Sequence, residues 1–78
     1  MITGLQIRAA RALLKLSAAK LAAKAGVSIS TVKRFEQFDG LPAGNLKTIS
    51  AIHEACVQAG IEFLGTPDEN PGVRLRTK

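Results

Sequence analysis

The sequence predicts a mainly α-helical fold, with four to five short helices followed by a C-terminal β-hairpin or strand pair. Three features of the 78-residue chain predict this class. Apolar residues recur at helical spacing through residues 1–60, and Ser, Thr or Asn precedes the helical runs. The pattern changes to an alternation of period two within residues 61–78, which is typical of strands. We therefore expect a helical domain over residues 1–60 and a β-patterned tail over residues 61–78.

The first helix is predicted from about residue 4 to residue 14. Thr3 and Gln6 have the spacing of a capping box, in which the hydroxyl accepts from a free backbone N–H while the glutamine reaches back. Ile7, Ala10 and Leu14 then recur at helical spacing and give this helix an apolar face.

Two further helices are predicted in close succession, within about residues 17–37. Ser17 is the N-cap of an alanine-rich run that Gly26 ends, and Ser28 is the N-cap of the next helix. Only Gly26 and Val27 separate the two helices. Helices joined this tightly must diverge steeply, which is the geometry of a helix-turn-helix unit.

A fourth helix is predicted from Leu46 to about Ala59, after a loop over residues 39–44. Asn45 is its N-cap, and Gly60 ends it. Its apolar stripe is predicted to consist of Leu46, Ile49, Ile52 and Cys56.

The tail is predicted to form two short strands, 61–65 and 73–76, joined by a seven-residue turn that contains two prolines. An isolated two-stranded hairpin is marginal in water, so we expect its apolar face to pair with a second chain in a homodimer. The alternative is a tail that folds over its own domain. The apolar residues assigned to dimerisation are Ile61, Phe63, Val73 and Leu75.

Composition excludes several classes of function. Cys56 is the only cysteine and His53 the only histidine, so neither an intrachain disulfide nor a Cys/His metal site is expected. The acidic residues are not paired in a plausible pocket and the serines lie at helix caps, so we expect no enzyme activity, no cofactor and no small-molecule ligand. The sequence has neither an apolar run of membrane-spanning length nor a signal peptide, which favours a cytoplasmic protein.

Charge is divided unevenly along the chain. Residues 1–37 carry seven Lys and Arg side chains and a single acidic one, Glu36, whereas residues 38–78 carry four basic and five acidic side chains. Like charges concentrated on one half repel one another, so this distribution indicates an external polyanion such as nucleic acid, with a solvated basic face as the alternative. The residues expected to form a diffuse positive field are Arg8, Lys15, Lys20 and Lys24.

Several short runs stand at a recognisable spacing: Leu14-Lys15-Leu16-Ser17, Leu21-Ala22, Ala25-Gly26-Val27-Ser28, Ser30-Thr31-Val32 and Arg34-Phe35-Glu36. In these runs, residues 7–36 resemble the DNA-binding domain of phage repressors, Cro and the XRE-type regulators. The resemblance implies a repressor-like helix-turn-helix domain. Its third helix would enter the major groove, and the N-terminal turn of that helix would reach the base edges.

The resemblance also implies roles for individual residues. Arg34 matches a bidentate contact to guanine, and Ile29 a contact to a thymine methyl group. Arg11 and Glu36 match a structural salt bridge between the first and third helices. The resemblance places Ser30, Thr31, Lys33 and Arg34 where family members contact double-stranded DNA. Their positions at or beside helix starts make Ser17, Ser28, Ile29 and Lys47 further candidates, with simple exposure as the alternative for Lys47.

Two positions depart from the family pattern. Ala18 stands where the family commonly has a glutamine that touches DNA, so only backbone amides remain for that contact. Phe38 stands where a glycine is usual, and we expect Gly40 to take over the role of that glycine.

Together these observations predict a sequence-specific, nucleoid-associated transcriptional regulator of bacterial or phage type. We expect a repressor that binds a palindromic operator as a homodimer, since the family binds two half-sites about 34 Å apart. The alternative is an antitoxin whose tail neutralises a partner toxin, and its mark would be a tail that is disordered when alone.

Overall fold

The computed structural model describes residues 1–42 and 44–77. This part of the chain forms helices α1 (Gly4–Leu14), α2 (Ala18–Ala25), α3 (Ile29–Glu36) and α4 (Leu46–Gln58), followed by strands β1 (Ile61–Thr66) and β2 (Glu69–Leu75). The predicted fold class, a mainly helical domain with a C-terminal hairpin, is confirmed. Ala43 of the predicted loop and Lys78 of the predicted tail lie outside the described residues.

Each helix begins where a side chain can satisfy its free backbone N–H groups. The predicted capping box is complete, because the Thr3 hydroxyl accepts from the N–H of Gln6 and the Gln6 side chain accepts from the N–H of Thr3. Gly26 ends α2 in the left-handed conformation, with a φ of 72°. The remaining N-caps are Ser17, Ser28 and Asn45.

The core lies where α1 meets the other elements. The helix α1 contacts α3, α4 and both strands, while α2 packs between α3 and α4. Phe35 is the largest side chain that is fully buried there. The buried apolar residues are Ile2, Ile7, Ala10, Leu21, Ala22, Val32, Phe35, Ile49, Ile52, Cys56 and Ile61.

The apolar stripe of α4 is shorter than predicted. Ile49, Ile52 and Cys56 are buried, but Leu46 is 63% exposed. Leu46 is the first residue of α4, so its side chain lies beyond the edge of the core. Its inclusion in the stripe is therefore wrong.

The end of α3 also differs from expectation. Gly40 does not adopt a positive φ, and a Cβ added to it would meet no atom. The helix instead ends at Glu36, and its C-cap Gln37 has a right-handed conformation. Gly40 therefore does not take over a glycine role, and Phe38 is accommodated without one.

The hairpin has longer strands and a tighter turn than predicted. Only Pro67 and Asp68 separate β1 from β2, in place of seven residues. The antiparallel register is irregular between Leu64 and Thr66, and β2 has one extra residue there. Pro71 lies in this bulge, where the regular ladder of hydrogen bonds between the strands is already interrupted. The N–H that proline lacks is therefore not needed there.

The hairpin folds over its own domain. Ile61 is 1% exposed within the single chain, and Phe63 and Val73 pack against the helical core. Leu75 lies opposite Ile61 in the register and stays 36% exposed. The tail thus shares the core of the helices, and Ile61, one of the four residues assigned to dimerisation, is already buried inside its own chain.

Candidate nucleic-acid interface

The junction between α2 and α3 is a short turn that is followed at once by Ser28, the N-cap of α3. Gly26 and Val27 occupy it, and the N–H of Val27 donates to the carbonyl of Ala22 at 3.0 Å. The helices α2 and α3 pack directly on one another after this turn. The N-terminal turn of α3 therefore follows a rigid, hydrogen-bonded connection.

One side of α3 is buried and the other is exposed. Val32 and Phe35 are fully buried. The opposite side presents side chains that differ in chemistry but share access to solvent: Ile29, Ser30, Lys33 and Arg34 are exposed. This mixture of hydroxyl, apolar and cationic groups on one helix can contact both phosphates and base edges.

Ser28 and Thr31 are partly occupied within the chain. The Ser28 hydroxyl accepts from the N–H of Thr31 at 3.1 Å, and the two hydroxyl oxygens lie 2.8 Å apart. Ser28 is exposed and Thr31 is half-buried. The two hydroxyls orient one another at the start of α3, and Ser28 serves first as its cap.

Ser17 and Lys47 lie at the starts of two other helices. The exposed Ser17 hydroxyl accepts from the N–H of Lys20 at 3.1 Å. The backbone N–H of Lys47 donates to the Asn45 side chain at 2.7 Å, and the Lys47 ammonium is exposed. No hydrogen bond among residues 1–42 and 44–77 links either side chain to α3.

Arg11 and Glu36 form a two-point contact between α1 and α3. The Arg11 Nε lies 2.8 Å from Glu36 Oε2, and Nη2 lies 2.9 Å from Oε1. The Arg11 side chain is 30% exposed and that of Glu36 only 9%. The hydrogen bonds to Glu36 raise the pKa of Arg11. A planar guanidinium held by both carboxylate oxygens fixes the orientation of α3 on α1.

Arg8 makes two contacts at the end of α3 that the sequence did not predict. Its Nη1 donates to the backbone carbonyl of Glu36 at 2.7 Å, and its Nη2 pairs with Asp39. Arg8 therefore caps the C-terminal end of α3, where carbonyl groups attract a cation, and does not belong to a diffuse field. The spacing of three residues between Arg8 and Arg11 places both on one face of α1, and this was the available signal.

Other basic side chains of the first half of the chain remain unpaired. Among the described residues, salt bridges join Arg8 to Asp39, Arg11 to Glu36 and Arg74 to Glu62. Positive charge is therefore left at the surface of α2, α3 and the end of α1. The exposed cations outside these bridges in residues 1–42 are Lys15, Lys20, Lys24, Lys33 and Arg34.

Gln6 is the second residue that sequence reasoning undervalued. Besides closing the capping box, its Nε2 donates to the carbonyls of Leu64 at 3.2 Å and Gly72 at 2.9 Å. These carbonyls belong to opposite strands of the hairpin. One amide side chain thus ties the start of α1 to both strands, and no pattern in the sequence indicates a partner so far along the chain.

His53 and Cys56 are packed against other parts of the fold. The His53 ring stacks on Phe63 with centroids 4.9 Å apart. Burial, together with the negative charge of Glu36, raises the pKa of the Cys56 thiol to about 11, so this thiol stays protonated at neutral pH. Within residues 1–42 and 44–77 no group of three His, Cys, Asp or Glu side chains could hold a metal ion. No helix in the same ranges is long and apolar enough to cross a membrane.

Comparison with protein families agrees with this geometry. Residues 7–43 match the family model described as helix-turn-helix. The matched segment begins in α1, includes the α2–turn–α3 unit and ends in the loop after α3. No curated protein is significantly similar to the chain.

Proposed function

We propose, from the premise that residues 7–43 belong to the XRE-type helix-turn-helix family of DNA-binding regulators, that this protein is a repressor that binds a palindromic operator as a homodimer. The observation that carries the proposal is α3 itself, whose buried side locks it to the domain while its exposed side presents Ser30, Lys33 and Arg34. A helix with this division fits the major groove of B-DNA.

The exposed side chains of α3 would make different kinds of contact with DNA. The Arg34 guanidinium can donate two parallel hydrogen bonds to O6 and N7 of a guanine. Ser30 can bond a base edge or a phosphate, and Ile29 can pack on a thymine methyl group. Lys33 would neutralise a phosphate, which adds affinity without sequence preference.

The other helix starts would position the domain on the DNA backbone. The backbone N–H groups at the start of α2, next to Ser17, form a site that attracts a phosphate. Lys47 at the start of α4 supplies a second cation. The two-point contact between Arg11 and Glu36 keeps α3 at a fixed angle to these elements, so that all contacts form together.

Molecular size supports the homodimer. The chain measures 29 × 28 × 18 Å, so equivalent points of two adjacent copies would lie roughly 30 Å apart, close to the spacing of about 34 Å between successive major grooves. A protein of this size that occupies both grooves would act by excluding other proteins from the site. The antitoxin alternative expected a disordered tail, and the folded hairpin favours the regulator.

The proposal is tested by selecting binding sites for the full-length protein from a random pool of double-stranded DNA. We expect enrichment of an inverted repeat whose half-sites are centred about one helical turn apart. A footprint on the selected site should cover both half-sites, and a reporter placed behind it should be switched off by the protein. Recovery of no common sequence, or of an activated reporter, would contradict the proposal.

A further inference from the structure

The carboxyl end of α3 is closed by a side chain from α1. The N–H of Phe38 donates to the carbonyl of Phe35 at 3.3 Å, but among the described residues no backbone N–H donates to the carbonyl of Glu36. Arg8 supplies this donor, because its Nη1 lies 2.7 Å from the Glu36 carbonyl oxygen. In a helix that ends with a glycine, backbone N–H groups beyond the helix take this role. Here the donor comes from another helix.

The start of α1 holds the same end of α3 at a second point. The N–H of Gly4 donates to the carbonyl of Gly40 at 2.9 Å. Gly4 is buried, and a Cβ added to it would collide with the backbone carbonyl oxygens of Phe35 and Phe38. An approach this close requires glycine, which has no Cβ. The chain from Phe35 to Gly40 is therefore fixed against the first two turns of α1.

Asp39 orients the Arg8 guanidinium. Its carboxylate pairs with Nη2 of Arg8, while Nη1 of the same group donates to Glu36. The planar guanidinium serves both acceptors at once, whereas a lysine ammonium is a compact point charge without this fork. Both terminal nitrogens of Arg8 thus have protein acceptors, although its side chain is 38% exposed. Arg8 therefore holds the end of α3 in place and is not a free surface charge.

The held end of α3 lies next to Arg34, the residue proposed to bind a guanine. Arg34 precedes Glu36 by two residues, which is about 3 Å along a helix axis. Its guanidinium carbon lies 5.4 Å from the centroid of the buried Phe35 ring. A recognition group has to be held within about 0.5 Å of its productive position. A small shift at the carboxyl end of α3 therefore affects the Arg34 contact before it affects the core.

We propose that Arg8 is a positioning residue for DNA recognition, which fixes the carboxyl end of α3 and thereby places Arg34 against its base pair. This role rests on the proposed function and deepens it, since it assigns a residue that sets the geometry of the same site. Arg8 then acts on operator preference without touching DNA. The exposed lysines of α2 differ from it, because their charge would act on DNA of any sequence.

The first test keeps the charge at position 8 and changes its geometry, in full-length Arg8→Lys. Affinities for the selected operator and for random DNA are measured at one salt concentration. We expect operator affinity to fall about 3- to 10-fold while affinity for random DNA stays the same, because the net charge is unchanged. Lys24→Arg is the matched exchange on α2 and should change neither affinity. Partial unfolding would lower both affinities by the same factor, so a reduced ratio reports the placement of α3.

Asp39→Ala separates positioning from charge by the sign of its effect. The change removes the partner of Arg8 and makes the protein more positive, so charge alone would tighten binding to every DNA. If Arg8 positions α3, the ratio of operator to random affinity should instead fall about 2- to 5-fold. An unchanged or increased ratio, in Asp39→Ala or in Arg8→Lys, would overturn the role of Arg8 and leave the proposed function standing.

A double variant tests whether Arg8 acts through Arg34. In an Arg34→Ala background, Arg8→Lys should lower the ratio no further, since the contact that Arg8 places is already absent. Full additivity of the two changes would overturn the positioning role.

A measurement without DNA keeps this role distinguishable from the proposed function. In Arg8→Lys, the backbone amide chemical shifts from Val32 to Glu36 should change, because the end of α3 moves. Changes confined to Asp39 and the neighbours of residue 8 in α1 would overturn the positioning role alone. A wild-type protein that prefers no operator over random DNA would overturn the proposed function and this role with it.

Discussion

In the proposed complex with DNA, Arg34 is the α3 residue whose chemistry would carry the most sequence information. Its side chain is exposed, and its guanidinium carbon lies 5.4 Å from the centroid of the Phe35 ring. Phe35 is buried, so it provides a fixed surface beside which the guanidinium is held. Arg34 is thus partly ordered before DNA arrives, which lowers the entropy cost of a bidentate contact.

We predict that Arg34→Ala weakens binding to the selected operator by about 1–3 kcal/mol and relaxes the preference at one position in each half-site. Competition binding against variant operators measures both effects. Lys24→Ala removes the same charge from α2 and should weaken operator and random DNA equally. An equal loss on both DNAs for Arg34→Ala would mean that this arginine contacts phosphate only.

The contact between Arg11 and Glu36 contributes to the free energy of unfolding. Removal of the Glu36 carboxylate leaves the partly buried Arg11 guanidinium with only the Leu16 carbonyl as an acceptor. We predict that Glu36→Ala lowers the free energy of unfolding by about 1–3 kcal/mol. Glu36→Gln keeps one acceptor oxygen and should lose less. Denaturant unfolding without DNA measures both, and identical stability of the three proteins would contradict the structural role.

At the scale of the elements, the hairpin is coupled to α1 through one side chain. Gln6 completes the capping box with its oxygen and bonds both strands with its nitrogen. The stability of the hairpin and that of the first turn of α1 are therefore linked. Thr3 takes part only in the cap, and this difference allows the two roles to be separated.

We predict that Gln6→Glu weakens the hairpin while it preserves the cap. The carboxylate still accepts from the N–H of Thr3, but it cannot donate to Leu64 and Gly72 and it repels their carbonyls. The expected cost is about 1–3 kcal/mol, with faster amide exchange in both strands. Thr3→Ala should instead cost about 1 kcal/mol and increase exchange in the first turn of α1. If amide exchange in the hairpin were equally fast in Gln6→Glu and Thr3→Ala, the coupling between Gln6 and the hairpin would be contradicted.

At the scale of the whole molecule, the tail and the helices form one core. Ile61 of β1 is buried in the same cluster as Ile52 and Cys56 of α4. A chain this short buries only about 60% of the surface of its unfolded form, so its free energy of unfolding is expected to be small. The hairpin is therefore a structural part of the domain.

We predict that removal of residues 61–78 lowers the melting temperature of the helices and does not release an intact four-helix core. The reason is that the deletion exposes the apolar surface that Ile61, Phe63 and Val73 cover. Thermal melts followed by far-ultraviolet circular dichroism measure this. A truncated protein as stable as the full chain would show that the helices need no tail.

Local features of the fold were predictable from the sequence because their causes are local. Thr3, Ser17, Ser28 and Asn45 each bond a backbone N–H within three residues, so the starts of the helices follow from short patterns. The turn between α2 and α3 is set by Gly26 in the same way. The exposed face of α3 also follows, because the spacing of Val32 and Phe35 defines its buried side.

Contacts between distant residues were not predictable in this way. Gln6 and Gly72 are 66 positions apart, and Arg8 and Glu36 are 28 apart. No short pattern links such pairs. The length of β2 was also misjudged, because Pro71 and Gly72 are typical of a turn unless a bulge accommodates them.

The sequence by itself determined the four helices, their caps and the helix-turn-helix unit, since each depends on residues close together in the chain. Tertiary structure decided where the hairpin lies, that Arg8 holds the end of α3 beside Arg11, and that Leu46 stays exposed. The physical reason is that burial and long-range hydrogen bonds depend on how elements pack, and packing brings together residues that no local pattern relates.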